Sequence, residues 1–143
     1  MDLNNQFIEA CERGDLNAME ELRKAGANPR AFDDVALRKA AKSNQLYAVI
    51  RLIELGARAD AKDNMAMRLT KSLEIVMCLA ANGGDIHTWD EHVLRYAARD
   101  GNLDLVKYAV KNNADIHAME DEALRWAKIM EQKDVIEYLE NLI

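Results

Sequence analysis

Residues 93–108 read VLRYAARDGNLDLVKY, and the core of that phrase returns along the whole chain. VALR at 35–38 recurs as AMR at 66–68, VLR at 93–95 and ALR at 123–125. The apolar residue before the arginine falls at Leu37, Met67, Leu94 and Leu124, with Phe7 in the same slot of an earlier copy; the spacings are 30, 30, 27 and 30. A fixed period in this range marks a solenoid, in which each repeat is one supersecondary unit that buries its apolar face only against its neighbours. A solenoid works through an extended surface rather than a reaction centre.

Working outward, five units overlay: about 4–31, 32–61, 62–88, 89–118 and 119–143, read as a single domain over 1–143. Each predicts two short helices. The first opens on an acidic or amide residue (Asn4, Asp34, Asn64, Glu91 or Asp121) suited to accept from free N–H groups at a helix start. Small residues follow: Ala10 and Cys11, Ala40 and Ala41, Ala97 and Ala98, Ala127. They allow close helix approach. The second helix carries apolar residues three apart, as in Leu46, Val49 and Leu52, which is a helical stripe and not the alternation of a strand. It then stops at Gly26, Gly56, Gly83 or Asn113, residue types that tolerate a left-handed helix end. These patterns give an all-α helical solenoid and no more.

Half of the 143 residues are apolar and 31% are charged, the composition of a folded, soluble chain. No stretch approaches the ~18 apolar residues of a membrane span, so no membrane role is expected. The N-terminus lacks the pattern of a signal peptide. The net charge of −6 argues against nucleic acid, which requires a concentrated basic face. Cys11 and Cys78 sit at helical slots and read as reduced, buried thiols, consistent with a cytoplasmic setting.

With the phrase at 93–108 and NADIHA at 113–118, the chain resembles the ankyrin-repeat family over essentially its whole length. It is most similar to the short form abundant in large DNA viruses and also met in phages and bacteria, in which AlaLeuArg stands where common ankyrins carry ThrProLeuHis. The period is about three residues below the usual 33, and the shortfall lies where the family has its β-hairpin finger. The resemblance therefore implies shortened fingers, reduced to tight turns, and a stack of helix pairs that binds another protein along its concave and loop-tip face. A viral, phage or effector inhibitor acting in a host cytoplasm would suit such a module; a homo-oligomeric scaffold is the alternative.

Departures from the repeat carry the remaining information. In the first unit Ile8 replaces the arginine, and Glu9, Glu12 and Arg13 add polarity, which reads as an end cap; Lys133 and Glu140 do the same in the last. Leu142 and Ile143 are expected to fold back over the last helix. The third unit lacks three residues, about one turn at the end of its first helix. The arginine column (Arg38, Arg68, Arg95, Arg125) is expected to bind loop carbonyls and carboxylates and to pair with Asp34, Glu91 or Asp121 four residues back. His87 and His117 share a repeat slot, so they and His92 read as structural rather than metal-binding. No nucleophile–base constellation or phosphate loop is present, so neither catalytic residues nor a cofactor or metal are expected.

The variable slot at each loop tip holds Phe32, Lys62, Trp89 or Met119, apolar in three of four cases. Met65 and Glu122 follow at the next variable slot, and Lys42, Arg99, Asp100, Ile129 and Met130 stand at the ends of first helices. Two readings remain open for the apolar tips: packing on neighbouring loops, or anchoring a partner. On the second, Phe32, Met65, Trp89, Met119, Ile129 and Met130 are the anchors, and Lys42, Arg99, Asp100 and Glu122 the polar rim. Tyr96 and Trp126, beside the arginines, are expected in the core.

Overall fold

The computed structural model describes residues 2–143. Among them the chain forms ten α-helices and no strand: α1 (Leu3–Arg13), α2 (Leu16–Lys24), α3 (Ala31–Lys42), α4 (Leu46–Glu54), α5 (Ala61–Leu69), α6 (Leu73–Ala81), α7 (Thr88–Asp100), α8 (Leu103–Lys111), α9 (Ala118–Ile129) and α10 (Lys133–Glu140). They divide between two compact units, one ending at Asp85 and the other spanning Ile86–Ile143. In the first unit α1, α3 and α5 pack side by side, each backed by α2, α4 or α6. In the second, α7 packs on α9, backed by α8 and α10.

The recurring slot explains this packing. Phe7, Leu37, Met67 and Leu94 are fully buried, each stabilising the fold by about 1.5–3 kcal/mol. The small residues behind them, among them Ala10, Ala40, Ala41, Ala98 and Ala127, are equally buried and let the first helices approach. The stripe of the second helices is displaced from the expected one. Residues three apart drift by about 60° per step on an α-helix, so the outer members of a three-step stripe cannot both face the core. Leu16 is exposed and Leu46, Leu73 and Leu103 are only partly covered, whereas Ala48, Ile75 and Leu105 fill the core beside Val49, Val76 and Val106.

The second helices end as their sequence predicts. Gly26, Gly56, Gly83 and Asn113 have φ of 110°, 99°, 98° and 68°. The next amide then bonds back, as from Ala57 N–H to Leu52 O at 3.0 Å. The shortened third repeat loses the last turn of its first helix: α5 has nine residues against 12 in α3, and Ser72 caps α6 immediately afterwards, accepting from the Ile75 N–H at 3.2 Å. Leu142 and Ile143 do not fold back; both are exposed.

Tight turns do replace fingers, and their geometry is specific. Three consecutive residues are left-handed within the opening of α3, α5, α7 and α9, so that the right-handed helix of each begins only after them: 32–34, 62–64, 89–91 and 119–121, with φ between 49° and 62°. Left-handed backbone costs roughly 1–2 kcal/mol per L-residue, least for Asp and Asn. Asp33–Asp34, Asp63–Asn64, Asp90–Glu91 and Glu120–Asp121 place acids or amides at the second and third positions. The arginine of the repeat phrase then reaches back to the carbonyls of the turn. Arg95 Nε and Nη2 donate to Asp90 O and Trp89 O, both at 2.8 Å. Arg125 does the same to Glu120 O and Met119 O at 2.8 and 2.9 Å, and Arg38 holds Asp33 O. Where they are shielded from water, as at Arg95, charge-assisted bonds of about 1.5–3 kcal/mol each can offset much of that backbone cost, and they contribute less where the arginine is exposed, as at Arg125. The first repeat supplies its own control: Asp2 caps α1 directly, its side chain accepting from the Asn5 N–H, no left-handed turn opens this helix among the described residues, and the arginine slot holds Ile8.

Two sequence expectations are corrected here. Asn4, Asp34, Asn64 and Glu91 do not cap their own helices. Each accepts instead from a loop amide beyond the following helix: Asn28, Arg58, Asp85 and Asp115, at 2.7, 3.2, 2.8 and 3.1 Å. The separation is 24 residues, or 21 in the short third repeat. With Asp34 and Glu91 so engaged and Asp121 taken up by His117, the i,i+4 pairs with the arginine column do not form among the described residues. Asp34, buried and 2% exposed, is held by Arg30, while Glu91 is held by His87 and Asp121 by His117.

Candidate functional site

The left-handed turn decides what the tips display. It turns the first of its three side chains away from the helices, so Phe32, Trp89 and Met119 are 63%, 55% and 50% exposed. Of the two readings left open by the sequence, packing of these side chains on neighbouring loops is therefore not what they do. Met65 is partly covered and Lys42 exposed, both in the first unit with Phe32. Ile129 and Met130, at the end of α9, are 72% and 54% exposed.

In the second unit the exposed face of the first helices carries a continuous run of rings. His92 and Tyr96 lie one turn apart on α7 and stack, with centroids 4.0 Å apart and planes 15° from parallel. Trp89 meets the edge of His92 at 6.5 Å, and Trp126 of α9 meets Tyr96 edge-on at 5.1 Å. Two guanidinium groups bracket the run. Arg99 lies over the Tyr96 ring at 4.4 Å and donates to Asp100 at 3.0 Å. Arg95 lies 5.9 Å from the Tyr96 ring centre and 5.8 Å from that of Trp126. Arg95 is buried, and beyond the turn carbonyls it pairs with Glu122 of α9.

Each cation over a ring contributes about 0.5–2 kcal/mol, and edge-to-face rings about 0.5–1.5 kcal/mol. The strip is therefore fixed in place before anything binds. Gln132 adds a further strut, its Nε2 donating to Arg99 O at 2.9 Å. Of the residues selected from sequence, the structure brings Trp89, Arg99 and Asp100 into this strip. Glu122 lies beneath it, engaged with Arg95 rather than standing at a rim. Phe32, Met65 and Lys42 belong to the first unit.

Tyr96 and Trp126 are the residues that sequence reasoning misplaced: both are partly exposed, not core. The signal lay in their column. The equivalent positions hold Glu9, Lys39 and Leu69, and a slot that accepts Glu and Lys faces outward.

Other chemistry finds little footing. Burial pushes the Cys11 thiol up to about 12, and it raises that of Cys78 as well, so neither is an activated nucleophile. Among the described residues no group of three or more His, Cys, Asp or Glu could hold a metal ion. No helix among them is long and apolar enough to cross a membrane.

Comparison with known proteins agrees with the repeat geometry. A family model described as ankyrin repeats (3 copies) matches residues 64–141. No curated protein matches the chain significantly.

Proposed function

Since the chain belongs to the ankyrin-repeat family, whose repeats are generally protein–protein interaction modules, we propose that it binds a partner protein without catalysis, chiefly through the aromatic strip of its second unit. The observation that carries this reading is the run Trp89–His92–Tyr96–Trp126 with Arg99 across it. Trp, Tyr and Arg are the residue types that dominate interface energetics. Their side chains are already held by one another, so binding forfeits little conformational freedom. Met119, Ile129 and Met130 supply exposed apolar surface in the same unit, and Asp100 a polar edge. Phe32, Met65 and Lys42 offer a separate contact region in the first unit. A module of this kind acts by occupying its partner's surface, which is the action of an inhibitor in a host cytoplasm. Its net charge of −6 disfavours nucleic acid as that partner.

Affinity capture tests the proposal in three arms: the wild-type chain, Trp89→Ala/Trp126→Ala, and Tyr47→Ala. Tyr47 is 70% exposed on α4, a second helix, and serves as the control. A partner retained by the wild type and by Tyr47→Ala, but lost from the strip variant while its helicity is intact, supports the reading. Equal retention by all three removes the strip from the interface. Light scattering addresses the homo-oligomeric scaffold: a mass that rises with concentration and falls back in the strip variant would assign the strip to a second copy.

A further inference from the structure

The first unit presents a different surface. Between α1 and α3 lies an open groove whose lining includes Ile8, Glu9, Glu12, Phe32, Val35 and Lys39. Its floor is apolar: Ile8 is nearly buried, Val35 partly covered, and Phe32 stands 63% exposed at one end. The groove exists because the outward column is not aromatic here. Glu9 and Lys39 stand where the second unit has Tyr96 and Trp126, and they leave unfilled the space that those rings occupy.

The charges of the groove are unequal. Lys39 answers Glu12, with Nζ 3.5 Å from the carboxylate. The Glu9 carboxylate has no partner among the described residues. Sequence patterning had put Glu9 and Glu12 down to an end cap, but both line this groove. An unanswered carboxylate beside an apolar floor is complementary to a side chain pair of opposite charge and like hydrophobicity.

We infer that this groove binds an extended or helical peptide segment that places an arginine or lysine against Glu9 and an adjacent apolar side chain between Ile8, Val35 and Phe32. The site is separate from the aromatic strip and does not depend on it. Ile8 is its apolar floor because the first repeat needs no arginine to hold a left-handed turn. The remaining anionic charge of the chain, −6 in all, favours the same partner over long range.

The probe is a short fluorescein-labelled peptide alternating arginine and leucine. Two twins carry glutamate for arginine or serine for leucine, and all are followed by anisotropy at low and physiological salt. The wild type is expected to bind the arginine–leucine peptide and neither twin. Glu9→Lys and Phe32→Ser should each weaken it by about tenfold or more. Both side chains are exposed, and circular dichroism verifies that the variants fold. Trp126→Ala should leave this affinity unchanged even if it abolishes binding of the captured partner, so the two sites fail or survive separately. Absence of binding by the wild type, equal binding of the glutamate twin, or full affinity in both Glu9→Lys and Phe32→Ser overturns the inference. A concentration-dependent mass abolished by Phe32→Ser overturns it too, by giving the groove to a second copy.

Discussion

Replacing Arg95 by Met keeps most of the apolar stem and deletes the guanidinium, which isolates the part of the side chain that holds the turn. The bonds to Trp89 O and Asp90 O and the pair with Glu122 are lost, together with the weaker contacts of the guanidinium with the Tyr96 and Trp126 rings. The Glu122 side chain is only 15% exposed, so its carboxylate is left largely out of water without a counterion. Breaking a buried pair on one side costs about 3–5 kcal/mol, and the two turn carbonyls lie within the same opening. Arg125→Met is the internal comparison. It removes the same two carbonyl bonds from the same kind of turn, but Arg125 is exposed and meets no carboxylate among the described residues. Its expected cost is about 1 kcal/mol. Urea unfolding followed by circular dichroism measures both, with a common slope required before midpoints are compared. The double variant Arg95→Met/Glu122→Gln should recover about 1–2 kcal/mol of the loss, because the stranded charge is gone. A cost for Arg95→Met no larger than that for Arg125→Met would refute the reasoning.

Other perturbations follow from the same contacts. Asp34→Ala removes the acceptor of the Arg58 N–H and the partner of Arg30, and should cost about 2 kcal/mol; Asp34→Asn keeps an acceptor and should cost clearly less in the same urea assay. The bonds from Arg51, and then those from Arg23, hold the Glu20 carboxyl down from 4.5 to about 2. A depressed carboxyl stabilises the fold above its unfolded pKa and loses that contribution as pH falls, so stability should decline between about pH 5 and 2. Glu20→Gln should flatten that part of the profile, and an unaltered slope would show that the bonds from Arg51 and Arg23 are immaterial. Cys11, fully buried and with its thiol raised to about 12, should resist iodoacetamide until the chain unfolds, whereas the partly exposed Cys78 reacts first; equal labelling in the native state would contradict this.

Much of the architecture was legible because it depends on local chemistry. The period, the fully buried slot at Leu37, Met67 and Leu94, the alanines behind it, and the stops at Gly26, Gly56 and Gly83 each act within one helix or its end. The missing turn of the third repeat could be located from Met67 and Leu73 alone. What escaped the sequence was contact between residues far apart along the chain. Asp34 and Glu91 looked like helix caps because caps act over three residues, whereas their actual acceptor role spans 24. Tyr96 and Trp126 looked like core because the family usually places a packing residue in that slot; only comparison with Glu9 and Lys39 in the same column shows that they face out. The sequence left open whether Phe32, Trp89 and Met119 pack or stand exposed; what decides it is three consecutive positive φ angles, which composition does not announce.

The chain contains two tryptophans, Trp89 and Trp126, and both belong to the aromatic strip. Acrylamide quenching of intrinsic fluorescence therefore reads the proposed interface without substitution, given a captured partner in excess or one cleared of its own tryptophans. Occupation of the strip predicts a blue-shifted emission and a marked drop in the quenching constant on binding. A partner that binds fully while the emission and quenching of Trp89 and Trp126 stay unchanged would contradict the assignment.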